Sequence, residues 1–349
     1  MAQAPTVWFG GRLRFNDEAF GKYVDMLPPT KTYRFMKSGI VAQDGNIAKY
    51  FAGQTGSYSQ RIPIYGTAEA EEVNYDGETP MGEPGYQDSY SAATVAFGRQ
   101  FALAEKDFSF DLIPGADFNA VLRKAIVTNK DNRFEKRLFG ITNALFGAED
   151  GVEKEFADKH TLDIAAEGEG LIGATTLNIA LQKACGEFKN DFTMIAMHSD
   201  VATNLENLNL LQYVKGVDAN GAIKDLAFAT WNGRDVVIDD AMPYDPELGT
   251  YTTYCFGKGM FGYTSLGAKV PYEPVRDAKM GIDMMYVRDR EVIAPRGWSF
   301  EGRSASMSPT DAELFDPANW KLADNGKTGE ERKTFPTKRI PLARIISRG

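Results

Sequence analysis

SYSQRIPIYGTAEAEEVNYDGETPMGEPGYQDSYSAATVAFGRQF, residues 57–101, is the stretch from which the rest of this chain is read. Residues 58–65 and 89–101 are extended, β-prone runs. Between them, residues 66–90 carry seven carboxylates (Glu69, Glu71, Glu72, Asp76, Glu78, Glu83 and Asp88) and no lysine or arginine. The large apolar side chains there are Val73, Tyr75, Met81, Tyr86 and Tyr90. A two-stranded ribbon of this kind is marginal in water on its own. Insertions of this length without a core of their own are uncommon unless functional. Two readings stay open: a solvated acidic loop, or a projecting loop that orders against a neighbouring subunit. The cluster from Glu69 to Glu72 could also hold a divalent cation weakly, but a solvated or partner-facing loop is the simpler account.

Working outward, the next segment reads as a long helix. After Pro114 and Gly115, Phe118, Val121, Leu122, Ala125 and Ile126 follow the three-four spacing of one helical face, and Phe134, Leu138, Ile141 and Leu145 resume it. Asp117 and Gly147 mark its ends. Unbroken over 116–146, it would be about 45 Å long. Gly140 opposes continuity by roughly 1 kcal/mol. The polar face is basic: Arg123, Lys124, Lys130, Arg133, Lys136 and Arg137. An acidic loop and a basic helix in one chain invite pairing between copies.

Upstream, residues 1–45 mix aromatic rings (Trp8, Phe9, Phe15, Phe20, Tyr23, Tyr33, Phe35) with basic residues, and Pro28-Pro29 interrupts any helix. They read as an arm lying on something else. Beyond residue 172 the pattern turns mixed α/β. It predicts helices over 175–184 and 200–213, the second capped by Ser199, and strands over 192–197, 236–238, 251–256 and 286–293. A tight turn is expected at Asn220-Gly221, and the basic tail over 335–346 ends β-prone.

Composition bounds the function. The 349 residues allow two modest domains or one elaborated one. A net charge of -9 argues against a generic nucleic-acid binder. No apolar run approaches transmembrane length, and the first thirty residues lack a signal-peptide core, so no membrane is expected. Cys185 and Cys255 fall in a helical and a strand pattern, which predicts buried free thiols rather than a disulfide framework.

The chemical motifs are weak. Gly257-Lys258-Gly259-Met260-Phe261-Gly262 matches GxGxxG, but a dinucleotide loop must open a helix, and β- and turn-like residues follow. A hairpin whose glycines take positive φ is expected instead. His198-Ser199-Asp200 holds triad residue types as neighbours, whereas a triad converges from separate segments. Two histidines (His160, His198) and two distant cysteines leave little for a metal site. Asp239 and Asp240, read as adjacent on a strand, should face opposite ways. Asp218 and Asn220-Gly221 lack the other calcium-loop ligands. No catalytic residue, metal or cofactor is expected.

Five further motifs occur in order: MHSDVATNLENLNLLQYVKG (197–216), GRDVVIDDAMP (233–243), TYTTYCFGKGMFGYT (250–264), REVIAPRGWSF (290–300) and SPTDAELFDPANW (308–320). Together they resemble the major capsid proteins of tailed bacteriophages. That resemblance implies an α+β subunit fold, shared with encapsulin shells, which has an arm, an extended loop, a peripheral domain with a spine helix, and an axial α/β domain. It places the arm at 1–45, the extended loop at 46–110, the peripheral domain at 111–169 and 281–349 with its spine helix at 116–147, and the axial domain at 170–280. The implied function is self-assembly into hexamers and pentamers of an icosahedral head enclosing double-stranded DNA, without catalysis. The implied location is the virion, with assembly in the host bacterial cytoplasm.

In that frame Glu69, Glu71, Glu72, Asp76, Glu78 and Glu83 of one copy meet basic groups of the next. Arg123, Lys124, Arg133 and Arg137 on the helix are candidates, as are Lys333, Lys338, Arg339 and Arg344 near the C terminus. Some family members crosslink a loop lysine to a neighbour's asparagine. Residues 57–100 contain no lysine, so a non-covalent shell is expected. The arm begins near Met1, which implies a separate scaffolding protein or none. Portal and decoration proteins are further implied partners, with DNA contacted weakly and non-specifically. The alternatives are an encapsulin-like cellular compartment, which gene neighbours would distinguish, and a nucleotide-dependent soluble enzyme resting on 257–262.

Overall fold

Two sheets, each built from strands distant in sequence, organise the described residues. The computed structural model describes residues 7–9, 13–15, 30–52, 58–68, 70–82, 85–106, 118–166, 170–217, 223–302 and 307–349. Strands β1 (Val7–Phe9) and β2 (Leu13–Phe15) pair antiparallel. They are followed by α1 (Thr30–Lys37), β3 (Val41–Gln43) and α2 (Gly45–Ala52). Helix α2 lies where extended chain was expected from residue 46. Its Ile47 and Phe51, four residues apart on one face, are buried with Ala96 and Val292.

The opening stretch forms β4 (Ser59–Ala68) and the twenty-residue β5 (Gln87–Lys106). Helix α3 (Phe118–Leu145) then runs unbroken for 28 residues, about 42 Å. Gly140 does not break it, and a packing reason explains the glycine: a Cβ there would sit 2.3 Å from Phe315 Cε1. Helix α4 (Gly151–His160) passes directly into β6 (Thr161–Asp163), and α5 (Thr176–Cys185), β7 (Phe192–Met197) and α6 (Ser199–Asn207) follow. The next strands are β8 (Gln212–Val217), β9 (Ile223–Trp231), β10 (Arg234–Ile238), β11 (Tyr244–Asp245), β12 (Thr250–Gly257) and β13 (Phe261–Ser265). The chain continues with β14 (Tyr272–Asp277), β15 (Ile282–Pro295), β16 (Trp298–Phe300), α7 (Asp311–Phe315), β17 (Trp320–Leu322) and β18 (Leu342–Ser347).

One sheet has the order β6-β18-β12-β7-β10-β9-β8, with β11 against β12; the other has β3-β13-β15-β5-β4, with β14 against β15. This is the α+β class that the sequence implies. Helices α5 and α6 cover the first sheet, burying Leu177, Leu181, Val201 and Leu205 with Ile195, Trp231 and Cys255. The larger core joins α3 and α4 to both sheets through Phe97, Leu138, Ile141, Phe156, Tyr254 and Phe261. Cys185 and Cys255 are both buried and free, and burial pushes each thiol up to about 12.

Several local expectations need correction. Helix α6 stops at Asn207 rather than 213, because Asn209 takes φ 54° and Leu210 N–H turns back to the Leu205 carbonyl; asparagine is one of the few residues that visits this region readily. Its cap is His198, whose Nδ1 accepts from the Asp200 N–H at 3.2 Å, not Ser199. Asp239 and Asp240 lie just past the end of β10, where Asp239 Oδ1 accepts from the Ala241 N–H at 2.8 Å. The glycine-rich loop is no hairpin: it hands the chain from β12 in one sheet to β13 in the other. Gly257 is needed there because a Cβ would lie 2.5 Å from Pro341 Cβ and 2.8 Å from the Asp191 carbonyl oxygen. Sheet membership also ignores the expected boundary at 280, since β13 and β14 join β15 whereas β18 returns to β12. The turn expected at Asn220-Gly221, the aspartate at 218 and the helix-start signals at 114–117 lie outside the described residues.

Candidate functional site

The β4–β5 loop has a firmly seated root. Tyr90 is buried edge-on against Phe335, with ring centroids 5.6 Å apart. Ser91 N–H donates to the Asp324 carbonyl at 2.9 Å, and Ala93 N–H to Ser299 Oγ at 2.8 Å. Arg61 pairs with Glu301 at 3.2 Å, and Lys333 reaches Asp88 at 3.4 Å. The seventh carboxylate of the acidic run therefore already has a partner in its own chain.

The tip is different: it is ordered by itself and covered by nothing described. Asp76 accepts from the Thr79 N–H (2.7 Å), the Glu78 N–H (2.9 Å), the Thr79 hydroxyl (2.8 Å) and Asn74 Nδ2 (2.7 Å). The backbone bonds from Thr79 and then Glu78 hold its carboxyl well below the usual carboxylate range. Asp76 thus shapes the turn, helped by Gly77 at φ 79°. The returning chain passes close by, since a Cβ on Gly82 would sit 3.1 Å from the Glu71 carbonyl oxygen. Glu71, Glu72 and Glu78 are exposed, whereas Glu69 and Glu83 lie outside the described residues. Tyr75, Met81 and Tyr86 are 102%, 93% and 84% exposed. The sequence showed these rings interleaved with the acids, but their exposure is a product of the fold.

The basic helix face is divided: Lys124, Arg133 and Lys136 are exposed, whereas Arg137 is buried and Arg123 and Lys130 are half-buried. Arg137 was expected to offer its charge to a neighbour; it is buried, paired with Glu291 and with Asp311. Desolvation of an arginine is tolerable only with such partners. Lys130 reaches Asp289 at 3.0 Å and Tyr272 Oη at 3.1 Å. Arg133 lies over the Phe101 ring at 4.8 Å, and Arg344 over Phe146 at 4.6 Å. Arg123 is half-buried, whereas Lys124 and Lys338 are exposed.

The triad-like residues form a helix start: His198 Nδ1 is engaged as the cap, and the His198 and Tyr251 rings sit 4.9 Å apart. The glycine-rich loop runs strand to strand and opens no helix, which removes the geometry a dinucleotide needs. No group of metal-competent side chains occurs among the described residues, and no described helix is long and apolar enough to cross a membrane.

No family model matches the chain. Over 311 residues it is 28% identical to the protein named major capsid protein of Bacillus phage SPP1, covering 87% of this chain and 90% of that one. In sequence, then, the chain is similar to a phage major capsid protein. The resemblance drawn from the five motifs is borne out. Among solved structures, the Cyanophage Pam1 capsid asymmetric unit aligns with a TM-score of 0.48 at 9% identity, over 84% of this chain and 92% of that one. Mycobacterium phage Bobi aligns at 0.45 and 12%, over 88% and 92%.

Proposed function

We propose that this chain is a major capsid protein, many copies of which tile into a closed head around phage DNA. The alignment with the SPP1 protein along nearly the whole of both chains carries the reading. The exposed, self-ordered loop tip supplies a physical means. A tip on one copy that lands on the body of the next makes a head-to-tail contact, which closes into rings when its rotation allows. Hexamers and pentamers are such rings, and they are the units we assign.

Within this reading residues 1–45 form the arm, the peripheral domain is built on α3, and the axial domain on the helices over β7 and β10. Glu71, Glu72 and Glu78 of one tip face cations of the next copy, for which Lys124, Arg123, Arg133 and Lys338 stand in reach of solvent. Each exposed ion pair contributes about 0–1 kcal/mol, so closure relies on many weak contacts acting together. The shell is non-covalent and part of the virion. Assembly takes place in the host cytoplasm, with portal, scaffolding and decoration proteins as partners and weak contacts to DNA.

Electron microscopy of the purified chain, concentrated stepwise across salt conditions, tests the reading. Closed shells of uniform diameter are expected. A chain that stays monomeric throughout would overturn it.

A further inference from the structure

Strand β5 changes partner within one residue. Val95 is its last position opposite β4, and Ala96 its first opposite β15. The two partners lie on opposite edges of β5. The projecting pair is therefore continuous with the body sheet through one strand of backbone. Two-stranded ribbons twist more freely than wide sheets, so the angle of this loop depends on what pins the handover.

Bonds to the body flank the handover. On the loop side Ala93 N–H meets Ser299 Oγ and Ser91 N–H the Asp324 carbonyl, and on the other side residues 97–99 are held from several elements. Ser308 Oγ accepts from the Gly98 N–H at 2.9 Å. The Arg99 guanidinium donates to the Gly98 carbonyl at 2.8 Å and grips Asp311 Oδ1 with two N–H groups, at 2.6 and 3.0 Å. The same oxygen accepts from Arg137 Nε at 3.2 Å. Both guanidinium groups lie over the Phe97 ring, 5.0 and 5.3 Å from its centroid. Asp311, at the start of α7, thus ties the strand just past its handover to the buried arginine of the long helix. With its side chain 46% exposed, Asp311 adds little to folding through charge alone. Charge-assisted bonds from two fixed guanidinium planes supply direction instead.

We propose that Asp311, acting through Arg99, is a positioning residue of the loop. Together with the bonds at Ser91 and Ala93 it sets the angle at which β4 and β5 leave the body, and with it the place the tip reaches on a second copy. Only that last clause rests on the capsid reading. Spin labels on Glu72→Cys at the tip and Lys154→Cys on α4 report the angle in the unassembled chain, and the buried Cys185 and Cys255 stay unlabelled. A narrow distance distribution is expected with Asp311 present. Asp311→Ala and Arg99→Met should each roughly double its width, with Asp311→Asn between, and a cooperative urea transition in each variant shows that the body is folded. Distributions as narrow and as centred as wild type in both alanine and methionine variants would overturn the proposal, as would loss of folding in both. Failure of the capsid reading would appear separately, as a wild-type chain that never closes shells while the label distances still respond.

Discussion

The Nδ1–H of His160 donates to the Leu342 carbonyl at 2.6 Å, tying helix α4 to the C-terminal strand. The ring stacks on Phe156 with centroids 4.1 Å apart, and its Nε2 is buried without a hydrogen-bond partner among the described residues. Burial, with a smaller push from Lys159 and against the Leu342 bond, lowers this histidine from 6.5 to about 4. The folded chain thus refuses a proton that the unfolded chain accepts. Stability is level above the unfolded value and falls as pH drops from about 6.5 to about 4, by on the order of 3 kcal/mol in all. Urea midpoints of the unassembled chain across that window check the slope. His160→Asn, which can still donate to Leu342 but cannot titrate, should flatten it.

Gly140→Ala inverts a familiar gain. On an open helix the change stabilises by up to about 1 kcal/mol. Here the new methyl meets the Phe315 ring at 2.3 Å, and overpacking of this kind costs about 1–3 kcal/mol. The variant should unfold at lower urea than wild type, and pairing it with Phe315→Leu should recover part of the loss.

Arg137→Met leaves Glu291 buried without its cation. Burial already raises that carboxyl, with Arg137 the chief opposing influence. Removing one partner of a buried pair costs about 3–5 kcal/mol. Glu291→Gln in the same chain should return much of it, because the amide needs no counter-charge. Equilibrium unfolding of the two single variants and the double variant checks this.

Reversing charge at the tip separates folding from assembly. Glu71→Lys with Glu72→Lys alters two exposed side chains, and surface changes of this kind usually stay within about 0.5 kcal/mol. Wild-type unfolding together with impaired shell formation is expected, and light scattering during assembly reads the second. Unimpaired assembly would remove the electrostatic part of the contact.

Residues 57–100 hold no lysine for a loop crosslink. Purified shells boiled in detergent should run as a single species of 38.5 kDa. A ladder of multiples would contradict the non-covalent shell.

The long helix, the loop strands and the acidic run between them were legible because local patterns create them: three-four apolar spacing, β-prone runs, and clustered like charges that no core could accept. The ordered motifs carried the capsid resemblance for a similar reason, since each is a contiguous string. What failed to show was everything set by distant partners. Helix α2 is too short for periodicity to betray, and the stop of α6 hangs on a single asparagine.

Composition and local pattern determined by themselves that this chain carries an acidic run between two β-prone stretches, followed by a long helix with basic residues along it. Only the tertiary structure decided that Arg137 belongs to Glu291 and Asp311, that Gly140 is there for Phe315, and that the glycine-rich loop links two sheets. Those pairings join residues up to 175 positions apart, and a linear pattern carries no record of which buried charge or ring a folded neighbour will supply.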